Sequence, residues 1–121
     1  MTRIMTEFFE KMLALFPEAE DQYEKMKAEY GEILETVILE DAFFPCIRKM
    51  LQNEDDIPLI HRAFDFFEEV CSSGDPHLLN VFTITILECL GNDKNVLRIA
   101  RKYMGTKTYL LQTEADRSLG R

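Results

Sequence analysis

Tryptophan is absent from these 121 residues, and there are only two histidines. His61 and His77 stand sixteen positions apart. No His-x-x-x-His, Glu-x-x-His or Cys-x-x-Cys spacing occurs, so the common zinc knuckles and helical ligand pairs are excluded and no metal is expected. The five glycines are scattered, which excludes a glycine-rich loop that cradles phosphate. Three cysteines, Cys46, Cys71 and Cys89, are odd in number, widely spaced and set in apolar helical patterns. They read as reduced, buried thiols rather than a disulfide frame or a nucleophile, which would want a base and an electropositive niche. No apolar run approaches the roughly 18 residues of a membrane span. Ile4 to Phe16 is interrupted by Glu7, Glu10 and Lys11, so it lacks the continuous core of a signal peptide. A cytoplasmic location is the expectation, with no cofactor and no catalytic residues.

Hydrophobic residues make up 46% and charged residues 30%, a composition that builds one globular core rather than a disordered chain. Charge is unevenly spread. Residues 1–56 have a balance of −8, residues 57–91 of −4 and residues 92–121 of +4. An acidic body repels phosphate, so nucleic acid and anionic membranes are poor partners. A basic protein partner is favoured.

The periodicity predicts an all-α, single compact domain (residues 1–121) of about six to seven helices. Antiparallel hairpins are expected to surround a central buried helix over residues 75–91. That helix has Asp75 as an N-cap, Pro76 at its first position and Gly91 to close it in the left-handed conformation. Phe82-Thr83-Ile84-Thr85-Ile86 alternates like a strand, but the length of the stretch and its two caps favour helix. Helices are also expected over Arg3–Leu15, Glu18–Tyr30 (ended by Gly31), Ile57–Ser73 (capped by Asp56), Lys94–Met104 (capped by Asn92 or Asp93 and closed by Gly105) and Thr108–Leu119. The last should dock through Leu111, Ala115 and Leu119. Pro45 predicts a break near Asp41 to Phe44, separating Ile33–Glu40 from Pro45–Gln52, with Asp41 as a cap and Phe43 and Phe44 as core plugs.

On the Ile57–Ser73 helix, His61, Arg62, Asp65, Glu68 and Glu69 fall on one solvated stripe. The acidic loop Glu54-Asp55-Asp56 precedes it. Glu54, Asp55, Asp56, Asp65, Glu68 and Glu69 are the candidate partner-binding residues. The carboxylate pairs Asp55-Asp56 and Glu68-Glu69 read as solvated faces rather than an acid–base pair. A small enzyme would need scattered carboxylates or histidines to converge in a deep pocket.

Several runs resemble a family of small bacterial proteins. They are Ala63-Phe64-Asp65-Phe66-Phe67-Glu68-Glu69-Val70, Ser73-Gly74-Asp75-Pro76, residues 84–93 (ITILECLGND), residues 100–108 (ARKYMGTKT) and the opening Phe8–Pro17. The likeness departs at Thr106, where proline is expected, and at Leu119, where an aromatic is expected. Members are short, acidic, all-helical domains, many encoded beside secreted polymorphic toxins. The resemblance implies an immunity-type protein that neutralises a cognate toxin domain. The alternative is a helical adaptor or regulator of another cytoplasmic protein.

Overall fold

The computed structural model describes residues 1–30 and 34–121. Seven helices and no strand occur among the described residues. α1 is Arg3–Leu15 and α2 is Glu20–Tyr30, preceded by a 3₁₀ turn at Pro17–Ala19. α3 covers residues 35–53, and α4 is Ile57–Cys71. α5 covers residues 76–91, α6 is Lys94–Arg101 and α7 is Thr106–Ser118. The expected stop at Gly31 and the expected helix start at Ile33 lie outside the described residues.

The ends of these helices follow local chemistry. Four N-termini are closed by their own side chains. Thr2 accepts from Met5 N–H, Asp56 from Leu59 N–H, Asp75 from Leu78 N–H, and Asp93 from both Asn95 and Val96 N–H. Each satisfies backbone donors that have no partner inside the helix. Ser72 and Ser73 lead from α4 into Gly74, whose φ of +75° only glycine adopts easily. This tight turn lays α4 and α5 side by side.

The expected break at residues 41–44 does not occur. α3 instead widens into a π turn at Leu39–Phe43 and resumes as α-helix at Phe44–Asn53, with Pro45 in its first turn. Proline cannot donate a hydrogen bond, and its ring crowds the carbonyl four residues back. The extra residue in the wider turn relieves that clash without ending the helix. Asp41 is exposed and makes no cap. Phe43 and Phe44 are buried, as core plugs.

α5 has the same construction. The β-branched run that alternates like a strand forms a π turn, Thr83–Leu87, between α segments Pro76–Phe82 and Glu88–Gly91. Thr85 is fully buried, and its hydroxyl donates to the Val81 carbonyl at 2.6 Å. The π turns of α3 and α5 pack against each other, and α5 also touches α4, α6 and α7. It is therefore the central helix, buried on most of its surface, although Ile84 stays 39% exposed.

Phenylalanine fills the space around it. Phe67 meets Phe82 at 5.3 Å between centroids, and Phe8 stacks on Phe66 at 5.8 Å. Phe9, Tyr23 and Phe43 form a second group that ties α1, α2 and α3 together. Such rings bury large apolar areas and interlock edge to face, so they dominate the core energy.

Replacing Thr85 with valine keeps the volume but removes the buried hydroxyl. The Val81 carbonyl then loses a partner, and the expected cost is about 1–2 kcal/mol. It will be read as a lower urea midpoint with an unchanged slope.

Candidate functional site

The six acidic candidates divide into two groups. Glu54, Asp56 and Glu68 are tied into the fold by hydrogen bonds, although Asp56 is exposed. Asp55, Asp65 and Glu69 are exposed.

Glu54 ends α3 in the left-handed conformation, φ 46° and ψ 40°, which is uncommon for a residue with a side chain. Its carboxylate accepts from Lys102 Nζ at 2.6 Å and from the Tyr103 hydroxyl at 2.7 Å. The Lys102 bond, with the Tyr103 bond second, holds the Glu54 carboxyl below its usual range. The same contact pushes the Tyr103 hydroxyl up. Glu54 thus fastens the end of α3 to the end of α6. Asp56 is the α4 cap already described.

Glu68 reaches from α4 to the start of α7. It accepts from Lys107 N–H at 2.9 Å, Thr108 N–H at 2.8 Å and the Thr108 hydroxyl at 2.8 Å. Gly105, at the N-cap position of α7, offers no side chain of its own. A Cβ there would lie 2.5 Å from the Glu68 carboxyl carbon. The missing side chain makes room for a carboxylate donated by another helix. Burial works against the charge on Glu68, but the bonds from Thr108 and Lys107 outweigh it and hold its carboxyl low. Gly105 therefore begins α7 rather than closing α6, whose C-cap is Lys102.

The other end of α7 closes on the end of α5. Gln112 is fully buried and donates to the Leu87 carbonyl at 2.9 Å and to Asp116 at 3.0 Å. Arg121 donates to the Glu88 carbonyl at 3.1 Å and bonds the Asn92 side chain. Arg101 pairs with Asp116 at 3.2 Å. Gly91 does not adopt the left-handed conformation expected of it. A Cβ there would strike Asp116 and Arg121, so glycine serves close approach rather than a turn. The docking face expected at Leu111, Ala115 and Leu119 forms only in part. Leu111 packs against the core and Ala115 is buried, as expected, but Leu119 is 47% exposed, and the inward face is completed by the polar Thr108, Gln112 and Asp116. Polar residues on the inside gave no hydrophobic signal in the sequence. Only their four-residue spacing could have revealed them.

Glu69 diverges from its neighbour Glu68 and faces α1. It lines a shallow groove of about 190 Å³ between α1 and α4, with Ile4, Glu7, Phe8 and Phe66 among the walls. A second depression of about 250 Å³ shares Lys11, Phe66 and Glu69 and extends to Leu15. Ile4 is 43% exposed at one end, and the Lys11 ammonium sits 5.6 Å above the Phe66 ring. Glu7 pairs with Arg3 at 3.2 Å on the open surface, where solvent screens the attraction. Asp65 and Glu69 have no cationic partner among the described residues. The groove combines an apolar floor with acidic edges.

The remaining chemistry is quiet. Burial pushes the Cys46, Cys71 and Cys89 thiols up, and all three are free. His61 packs its ring on Tyr103, and His77 Nε2 lies 2.7 Å from a Glu35 oxygen. Among the described residues no three His, Cys, Asp or Glu side chains group to hold a metal. No described helix is long and apolar enough to cross a membrane.

Fold and surface together define a small all-helical domain whose open features are grooves between helices. The chain belongs to the family of the domain of unknown function DUF7674, whose model matches residues 9–118. No curated protein and no solved structure matches it.

Replacing Glu68 with alanine uncaps α7 and is expected to cost about 1–2 kcal/mol. Gly105→Ala displaces the same carboxylate. The double variant should therefore lose less than the two single losses combined, as a double-mutant cycle in urea will show. Glu54 and Glu68 also set an acid limit. Their folded values lie below the usual 4.5. Their ionised forms stabilise the fold above the unfolded value, and that stability is lost as pH falls through the lower folded values. The Glu54→Gln, Glu68→Gln variant should be less stable at neutral pH and lose less on acidification, followed by thermal melts.

Proposed function

We propose that the protein is a non-catalytic binding module, an immunity-type inhibitor that neutralises a cognate bacterial toxin domain in the cytoplasm. The observation that carries this reading is the α1–α4 groove, whose apolar lining (Ile4 exposed at one end, Phe8 and Phe66 beneath) is edged by Glu7 and Glu69, with Lys11 across Phe66, on the acidic part of the chain. An apolar anchor with a charged rim is how specific protein interfaces are built. Many toxin domains that act on nucleic acid are basic. A negative face speeds encounter with such a domain and takes the place of its substrate. The resemblance to proteins encoded beside polymorphic toxins favours this form of binding over a general adaptor.

The contact surface in this proposal is Glu69 and Glu7 with the groove they line, together with Asp65, exposed on the same helix as Glu69, and Asp55, exposed in the loop before it. Glu54, Asp56 and Glu68 act through the fold instead. The test is a pull-down of the tagged protein from its native lysate, followed by co-expression with any toxin-like domain recovered, reading cell growth and the kinetics of complex formation. The wild-type protein should protect. Asp65→Lys with Glu69→Lys should slow association about tenfold and flatten its dependence on salt. Unchanged kinetics in that variant would remove the groove from the interface. A failure of the wild-type protein to protect, with a basic housekeeping partner bound instead, would replace the toxin reading with the adaptor reading.

A further inference from the structure

A second surface, on α6 and α7, carries the reverse charge. α7 turns Thr108, Gln112 and Asp116 inward beside Leu111 and Ala115, and two of its large apolar side chains are left outside. Leu110 is 52% exposed and Tyr109 45% exposed. With Met104 and Thr113 they line a shallow cleft of about 580 Å³. Thr113 also borders a neighbouring cleft of about 810 Å³ between α6 and the end of α7. That second cleft presents Lys94, Arg101, Arg117 and Arg121 against a single carboxylate, Asp116. Asp116 is already bound, by Arg101 at 3.2 Å and Arg121 at 3.6 Å. Lys94 and Arg117 have no carboxylate partner among the described residues. The Arg101 guanidinium lies 5.3 Å above the Tyr109 ring and so joins the two clefts into one surface.

We propose that this α6–α7 surface docks an acidic peptide segment of a partner protein, with an apolar side chain on Tyr109 and Leu110 and carboxylates at Lys94 and Arg117. Charge complementarity selects the occupant. Residues 92–121 carry +4, whereas the preceding residues carry −12. A long polyphosphate would run off the basic cleft onto the acidic body and be repelled. A short acidic segment stays within the cleft. The adjoining apolar strip gives binding energy that an inorganic anion could not use. The site is separate from the α1–α4 groove, and neither reading depends on the other.

The test is selection of random short peptides displayed on phage against the whole protein, followed by fluorescence anisotropy with the enriched peptides. The selected peptides should combine Asp or Glu with a leucine or aromatic residue. Lys94→Glu with Arg117→Glu should weaken them roughly tenfold or more, in a salt-dependent way. Leu110→Ser should weaken them with little change in salt dependence. Asp65→Lys with Glu69→Lys should leave them unaffected. All these positions except Leu110 are charged surface groups, and circular dichroism will verify that each variant is folded. Enrichment of basic peptides, or binding indifferent to the α6–α7 variants, would overturn the proposal. So would light scattering that shows a dimer abolished by Leu110→Ser, since a second copy would then be the occupant. A labelled single-stranded oligonucleotide bound at this surface in place of any peptide would overturn it as well.

Discussion

The carboxylate of Glu68 on the N-terminus of α7 is the contact on which the surface of this protein depends. A helix start leaves backbone donors without partners, and α7 has only Gly105 at its cap position. Glu68 supplies the missing acceptor across space, and its negative charge also suits the positive end of the helix. The far end of α7 is held by Gln112, Asp116 and Arg121 against the last carbonyls of α5. A helix fixed by polar groups at both ends needs fewer apolar residues inward, and here Leu111 and Ala115 suffice. That is why Tyr109 and Leu110 face outward beside a row of cations.

Elsewhere the fold follows the ordinary logic of apolar burial. The aromatic rings of α1, α4 and α5 make a continuous core around Phe67 and Phe82. The two π turns share one cause: each lets a helix continue where its sequence resists α geometry. In α3 the obstacle is Pro45, and in α5 it is the β-branched run at Thr83–Leu87. Because the two turns pack together, the irregularity is concentrated at one place in the interior rather than spread along two rods. The outcome is a rigid body with acidic edges at the α1–α4 groove and cations at the α6–α7 surface. That charge separation is the physical basis for assigning different partners to the two faces.

Much of the architecture was legible in the residues. Pro76 and the caps Asp56, Asp75 and Asp93 mark helix starts by local chemistry, and the apolar periodicity of α1, α4 and α5 marks the faces that become core. Pro45 misled, because a rule about local clash cannot anticipate that a wider turn, stabilised by packing, will absorb it. Gly105 misled about the end of α6, and Gly91, which does end α5, misled about its conformation. At both, a carboxylate from another helix comes close to where a Cβ would sit. The acidic candidates looked alike as a stripe and a loop, yet Glu54 and Glu68 tie helices together, whereas Asp65 and Glu69 have no cationic partner among the described residues.

The sequence by itself determined the all-helical class, the central helix over residues 75–91, most of the caps and the polarity of charge along the chain, because these depend on periodicity and on groups a few residues apart. Only the tertiary structure decided which carboxylates remain on the surface and which way α7 faces. Those outcomes rest on hydrogen bonds between groups some forty residues apart, such as Glu68 with Thr108, whose geometry no local pattern encodes.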